Sequence, residues 1–195
     1  MKPAADVDRP VAFSQPDELP FKFEEPNTYT LEMAVTADGI ERVTRISRDG
    51  ARWRYDHGFG SGHQFGSIRG ERNFLIDDRR KLYAEIAPRP DAAAEPLGTW
   101  YLSRPDVVFE NLGSENGRMR YRVKIDGETT SEIIVYVDDT LKIPVRQEFF
   151  SLAGGRRELQ YSVEVRKFSP EPDRTLFDIP AGYKKVRPEE IETEQ

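Results

Sequence analysis

At 195 residues, with 37% hydrophobic and 11% aromatic side chains, the chain is long and apolar enough to bury the core of about one domain, which excludes disorder over most of its length. A net charge of −6 argues against tight nucleic-acid binding, which calls for a basic domain. The absence of cysteine excludes disulfides, thiolate catalysis and zinc–thiolate centres, and no apolar run approaches the roughly 20 residues of a membrane-spanning helix.

Residues 1–26 carry Pro3, Pro10, Pro16, Pro20 and Pro26, a density that prevents a regular helix. The segment reads as an extended arm, with Phe13, Leu19, Phe21 and Phe23 available to pin it. Its first ten residues lack the apolar stretch of a secretory signal. The expectation is either a cytosolic protein or a chain that begins after a removed export signal.

From Asn27 the pattern has period two. Tyr29, Leu31, Met33 and Val35 alternate with polar residues, giving a strand with one apolar and one wet face. Asp38-Gly39 turns the chain into Ile40–Arg48, and Asp49-Gly50 turns it into Ala51–Asp56, with Trp53 and Tyr55 on one face and Arg52 and Arg54 on the other. Residues 57–70 read as a loop plus a short strand, and 73–87 as a hairpin through Asp77-Asp78. Between 91 and 113 the pattern supports one or two short helical turns. Strict alternation then returns. Met119, Tyr121, Val123 and Ile125 alternate with Arg118, Arg120, Arg122 and Lys124, followed by Ile133, Val135 and Val137, by Ile143, Val145 and Phe149, and by Leu159, Tyr161, Val163 and Val165. Strands joined by short polar turns predict an antiparallel meander. Phe177–Tyr183 reads as a last strand or docking segment, and 187–195 as an acidic, disordered tail.

Candidate chemistry is sparse. His57 and His63 flank a glycine-rich loop beside Asp56, a combination that suits zinc or iron in principle, but such a loop does not fix ligand geometry. The loop lacks the following helix of a phosphate cradle, and Ser61 lies in no nucleophile elbow. The paired carboxylates Glu24/Glu25, Asp77/Asp78 and Asp138/Asp139 include two at predicted hairpin tips, where turn chemistry accounts for them. The ladder Arg118, Arg120, Arg122 and Lys124 reads as a solvated sheet face with cross-strand partners such as Glu132, Glu158 and Glu164. No catalytic set, metal or cofactor is expected.

The stretch Val135-Tyr136-Val137-Asp138-Asp139, then Ile143-Pro144-Val145-Arg146, then Leu176-Phe177-Asp178-Ile179-Pro180-Ala181-Gly182-Tyr183 resembles the closing strands of the bacterial lipoprotein-carrier-like superfamily, that of the periplasmic carrier LolA and the outer-membrane acceptor LolB. Arg48-Asp49-Gly50-Ala51-Arg52-Trp53-Arg54, Phe74-Leu75-Ile76-Asp77 and Lys81-Leu82-Tyr83-Ala84-Glu85-Ile86 are similar to the early hairpins of the same proteins. The uncharacterised secreted relatives fit better than the carriers, because the carriers begin with an amphipathic helix and this chain begins with a proline-broken arm. The resemblance implies a mainly β fold. It consists of a strongly curved antiparallel sheet, an unclosed barrel, with short helices covering the open side. It spans 27–186, between the arm and the tail.

By that resemblance the concave apolar face would shelter a ligand, with Leu31, Met33, Tyr121, Val123, Val135 and Tyr161 lining it and Arg48 at the entrance. The expected function is a non-enzymatic periplasmic or outer-membrane-associated module that binds a lipid, an acylated protein or another apolar ligand, with peripheral membrane contact and no nucleic-acid partner. The alternative is a structural or protein-interaction component of the cell envelope whose concave face is filled by its own side chains.

Overall fold

The structure is a computed structural model and describes residues 12–13, 19–21, 23, 25–62, 65–87, 97, 99–104, 106–125 and 131–192. It is mainly β. Among the described residues, thirteen strands follow one another as β1 (Ala12–Phe13), β2 (Thr28–Ala37), β3 (Ile40–Asp49), β4 (Arg52–His57), β5 (Phe65–Arg69), β6 (Asn73–Asp77), β7 (Leu82–Ile86), β8 (Val107–Glu115), β9 (Arg118–Ile125), β10 (Ser131–Asp138), β11 (Pro144–Ser151), β12 (Glu158–Ser169) and β13 (Lys184–Lys185). Their order in the sheet is β1-β8-β9-β10-β11-β12-β2-β3-β4-β5-β6-β7-β13, a linear series with β1 and β13 at its two ends rather than a closed ring. The recorded pairings are antiparallel except β13 on β7. Helical structure among the described residues amounts to one-turn 3-10 segments at Trp100–Ser103, Ala153–Gly155 and Arg174–Phe177, and the short helix α1 (Glu189–Glu192).

Turn chemistry fixes the register as the sequence predicts. Asp38 and Gly39, at φ 52° and 74°, form the two-residue loop that pairs Ala37 with Ile40 and carries the ladder to Thr28 and Asp49. Asn116 and Gly117, at φ 52° and 74°, do the same between β8 and β9. The short helical turn expected between Leu97 and Leu112 is the 3-10 segment at Trp100–Ser103, and β8 takes the rest of that stretch from Val107. Val107 and Phe109 are buried and alternate with half-buried Val108 and Glu110, a period-two pattern that the preceding irregular segment obscures.

The chain divides into two compact units. Residues 1–24 and 99–162 make the first, and 25–98 and 163–195 the second, so β12 passes from one into the other. Both units contribute strands to the same sheet. The main apolar face of the first unit has Phe109, Val123 and Ile133 in cross-strand register and Val135 paired with Tyr121, while Ile134 is buried on the other face of β10. The second unit is buried on both faces around β4 and β5. Tyr29, Leu31, Ile46 and Tyr55 are buried on one side, and Ser47, Arg54, Asp56 and Ile68 on the other. Arg54 departs from the wet face that alternation assigns to it. It is buried because the segment after β12 comes across it, with Leu176 accepting from Arg54 Nη1 at 3.5 Å and Phe177 lying under Arg52.

Residues 187–192 of the stretch expected to be disordered fold back instead. Pro188 opens α1, and Glu190 Oε1 accepts from the Arg187 backbone N–H at 3.1 Å, a capping arrangement the sequence spells out. The helix sets Ile191, 4% exposed, against Leu75 and Ala84. Residues 193–195 lie outside the described residues. Ile191→Ala is expected to lower the urea unfolding free energy by about 2–3 kcal/mol, the range for truncating a buried isoleucine. A cost below about 0.5 kcal/mol would show that the segment is undocked in solution.

Candidate functional site

In the first unit the alternation of β9, β10 and β12 brings four of the expected ligand-lining residues to the core. Tyr121, Val123 and Val135 are 4%, 1% and 0% exposed. Tyr161 is half-buried and stacks on Phe149 with centroids 4.2 Å apart. This face is occupied by the chain's own side chains. Phe21, from the arm, meets Phe109 edge-on at 6.3 Å and Tyr121 at 5.2 Å, and Tyr121 Oη donates to the Pro20 carbonyl at 3.3 Å. Tyr101, from the 3-10 turn at Trp100–Ser103, is fully buried. Its ring packs edge-on against Phe149 at 6.4 Å and its hydroxyl donates to Gln147 Oε1 at 2.6 Å. Burial pushes the phenols of Tyr121 and Tyr161 above their ordinary range, with the Asp139 carboxylate adding to the shift at Tyr121. Both phenols stay neutral near pH 7, which suits Tyr121 as the donor to Pro20.

Sequence reasoning noted Phe21 as a pin but missed Tyr101 and Gln147 as fillers. A lone glutamine inside the apolar alternation of β11 was the available signal, since a buried amide requires a partner.

The described part of the arm is held at two points. Burying the Phe21 ring contributes about 1.5–3 kcal/mol at most. Strand β1 matches two residues of β8, Ala12 to Glu110 and Phe13 to Phe109.

The remaining candidates, Leu31, Met33 and Arg48, belong to the second unit, so the seven do not form one constellation within either unit. Leu31 is 1% exposed, and Met33 is half-buried opposite Thr44. Thr30, Leu31, Glu32, Lys167, Phe168 and Ser169 line an open cleft of about 400 Å³, with Lys167 Nζ donating to Glu32 at 2.8 Å across it. Arg48 is drawn into holding the chain ahead of β2. It donates to the carbonyls of Gly50 and Pro26, pairs with Glu25 at 3.3 Å and lies over Trp53. Glu25 in turn accepts from Tyr29 Oη at 2.6 Å.

Polar groups converge most densely around Asp56, which is fully buried. Its Oδ2 accepts from Arg45 Nε and Nη2 at 2.9 and 2.7 Å, and its Oδ1 from Arg54 Nε at 2.7 Å. Arg54 also reaches Asp78 at 3.5 Å, and Asp78 accepts from Tyr183 Oη at 2.7 Å. Burial and that hydrogen bond push the Tyr183 phenol up to about 12. Gly66 lies against this cluster, where an added Cβ would stand 3.0 Å from Asp56 Oδ1 and 3.2 Å from the Tyr55 carbonyl. The carboxylate's capacity is taken up by guanidinium groups, which makes the cluster structural.

His57, the next residue on β4, points to the opposite face. There it continues a row of stacked rings, 6.3 Å from Tyr55 and 5.5 Å from Phe65, with Nδ1 3.4 Å from Thr44 Oγ1. His63 lies outside the described residues. Among the described residues, no three His, Cys, Asp or Glu side chains are grouped to hold a metal ion. The paired aspartates serve turns and ion pairs: Asp77 accepts from the Arg80 backbone N–H at 2.8 Å, and Asp138 from those of Thr140 and Leu141 at 2.9 Å. Two members of the basic ladder face carboxylates. Arg120 pairs with Glu115, Arg122 with Glu110 and Glu132, and Glu132 also with Arg157.

No family model matches the sequence, and no curated protein sequence matches it. Among solved structures the chain is similar to an uncharacterized conserved protein from Thermus thermophilus, at 12% identity over 83% of this chain and 90% of that one, with a TM-score of 0.53. It is also similar to a chain of the complex of MucA and MucB from Pseudomonas aeruginosa, at 12% identity over 82% of this chain and 58% of that one, TM-score 0.50. A structure of MucB matches at 11% identity over 81% and 59%, TM-score 0.50. At such identities the likeness is one of fold, and the chain spans less than two thirds of the length of the MucB-related chains.

Two outcomes follow from the geometry around β4. Asp56→Ala is expected to destabilise the protein by about 3–5 kcal/mol in urea unfolding, since it strands the buried Arg54 charge, whereas Asp56→Leu with Arg54→Met should cost much less. Burial lowers the His57 pKa, against a smaller opposing pull from Asp56. The unfolded chain therefore takes up the proton first. Stability from this group is complete above the ordinary value of about 6.5 and is lost as the pH falls through it toward the lower folded value. His57→Gln should flatten the fall in urea midpoint between about pH 7.5 and 5.5.

Proposed function

We propose that this chain is a non-enzymatic protein-interaction module of the cell envelope. The filled apolar face of the first unit carries this reading. Phe21 and Tyr101 occupy the ground on Tyr121, Phe109 and Phe149 that an acyl chain would need. The fold likeness to MucB, which has been crystallised in complex with MucA, supports a polypeptide as partner. The resemblance to lipoprotein-carrier-like proteins supports the envelope location, periplasmic or outer-membrane-associated. It also supports a curved sheet, with Phe21 of the arm on its apolar side.

One observation favours a second reading, a small apolar ligand in the second unit. The cleft beside Leu31 and Phe168, at about 400 Å³, falls within the roughly 300–1,000 Å³ of small-molecule pockets. Lys167 and Glu32 at its rim would orient the polar end of such a ligand.

Native mass spectrometry of protein purified from its own host distinguishes the two. The expected result is the bare chain mass, with no enhancement of a hydrophobic dye and no displacement by a long-chain fatty acid. Tyr101→Ala should then create dye binding by emptying part of the first unit's core. A co-purified lipid, displaced by fatty acid and lost in Leu31→Arg, would transfer the conclusion to the cleft.

A further inference from the structure

The arm shows by its own docking what the first unit is built to hold. Strand β1 lies at one end of the sheet and adds to β8 in antiparallel register, matching two of the nine residues of β8 among the described residues. Farther along, the Pro20 carbonyl accepts from Tyr121 Oη and the Phe21 ring enters the notch between Phe109 and Tyr121. The two features recognise a polypeptide in different ways. Strand addition reads main chain and is indifferent to sequence, whereas the notch selects an aromatic side chain preceded by an available carbonyl. Proline suits the position before that ring because it brings no N–H that would need a partner on an apolar surface. On β8 the Glu110 carboxylate is held by Arg122 at 2.6 Å, which neutralises a charge that would otherwise discourage a strand from approaching. The β8 residues from Asn111 to Glu115 continue past the two matched by β1. The bulge between Asn111 and Gly113 sits there, with Gly113 at φ 82° and its N–H donating to Asn111 Oδ1 at 2.7 Å.

We propose that the β8 edge and the Phe109–Tyr121 notch form a binding site for an extended segment of a partner polypeptide carrying a Pro-aromatic pair, and that the chain's own arm occupies this site in cis until the partner displaces it. The proposal rests on the reading of the chain as a protein-interaction module and names the surface and the class of partner. A partner with a longer strand would match more of β8 than the two arm residues that pair with it among the described residues.

The test uses the full chain and one probe, a fluorescein-labelled peptide with the sequence of residues 10–24, followed by anisotropy. Phe21→Asp in the protein releases the cis arm and leaves the site intact. The labelled peptide should bind this variant at least about tenfold more tightly than it binds the wild type, whose competent fraction is reduced by the docked arm. A peptide carrying the same Phe21→Asp change should bind neither protein. Adding Tyr121→Phe to the variant keeps the ring and removes the hydroxyl, and should weaken the peptide by roughly three- to tenfold. If the Phe21→Asp protein is folded by circular dichroism and binds the peptide no better than wild type does, the proposal fails. The module reading then stands or falls on its own lipid and dye measurements, which do not involve the edge. If wild type proves to be a dimer that Phe21→Asp converts to monomer, the arm docks in a second copy and the cis-occupied partner site is overturned.

Discussion

A carboxylate without water must be matched by charge from the protein itself, and the second unit is organised around that requirement at Asp56. Three guanidinium nitrogens meet its two oxygens, from Arg45 on β3 and Arg54 on β4. Because Arg54 spends its Nε there, its remaining nitrogens turn outward to the Leu176 carbonyl and to Asp78. Those contacts fix where the segment after β12 must run. Tyr183 on Asp78 extends the same chain of dependence to the residues that enter β13. On β5, Gly66 leaves the space the cluster occupies.

Much of this fold was legible in the sequence because it is written in residue alternation and turn residues, both local signals. Asp38-Gly39 sets one register outright, and the alternation from Met119 to Val165 places four strands. The charged face of β9 was equally readable, down to Glu132 as a partner, since oppositely charged residues facing each other across a ladder explain themselves. What escaped is nonlocal. Nothing near Arg54 says that a segment about 120 residues later will cover it, so a buried arginine looks like a wet one. Strand β8 is preceded by prolines and irregular chain, and its alternation is too short to stand out. Helix α1 is a different case. Arg187-Pro188-Glu189-Glu190 carries a capping signature, but the run of acidic residues outweighed it, and the burial of Ile191 was invisible without Leu75 and Ala84 beside it.

The candidate site was legible in orientation but not in occupancy. Alternation sends Tyr121, Val123 and Val135 inward whether the space beyond them is empty or filled. Deciding between those states required Phe21 and Tyr101, which arrive from the arm and from an irregular turn. Arg48 illustrates the same limit for a charged residue. An arginine near the end of a strand reads as an entrance group, yet its hydrogen bonds to Gly50 and Pro26 make it a clamp on its own chain.

The two ends of the sheet are finished in different ways, and this bears on how the protein behaves when concentrated. Strand β13 closes one end with Lys184 and Lys185, both exposed, running parallel to β7, with Lys185 tied to Glu85 at 3.0 Å. Lysines on a short terminal strand repel an incoming copy. A fibril that grows by stacking sheets end to end needs two receptive ends on every molecule, and here one of them is charged. A two-residue strand carrying two exposed lysines disfavours edge-to-edge growth past that end.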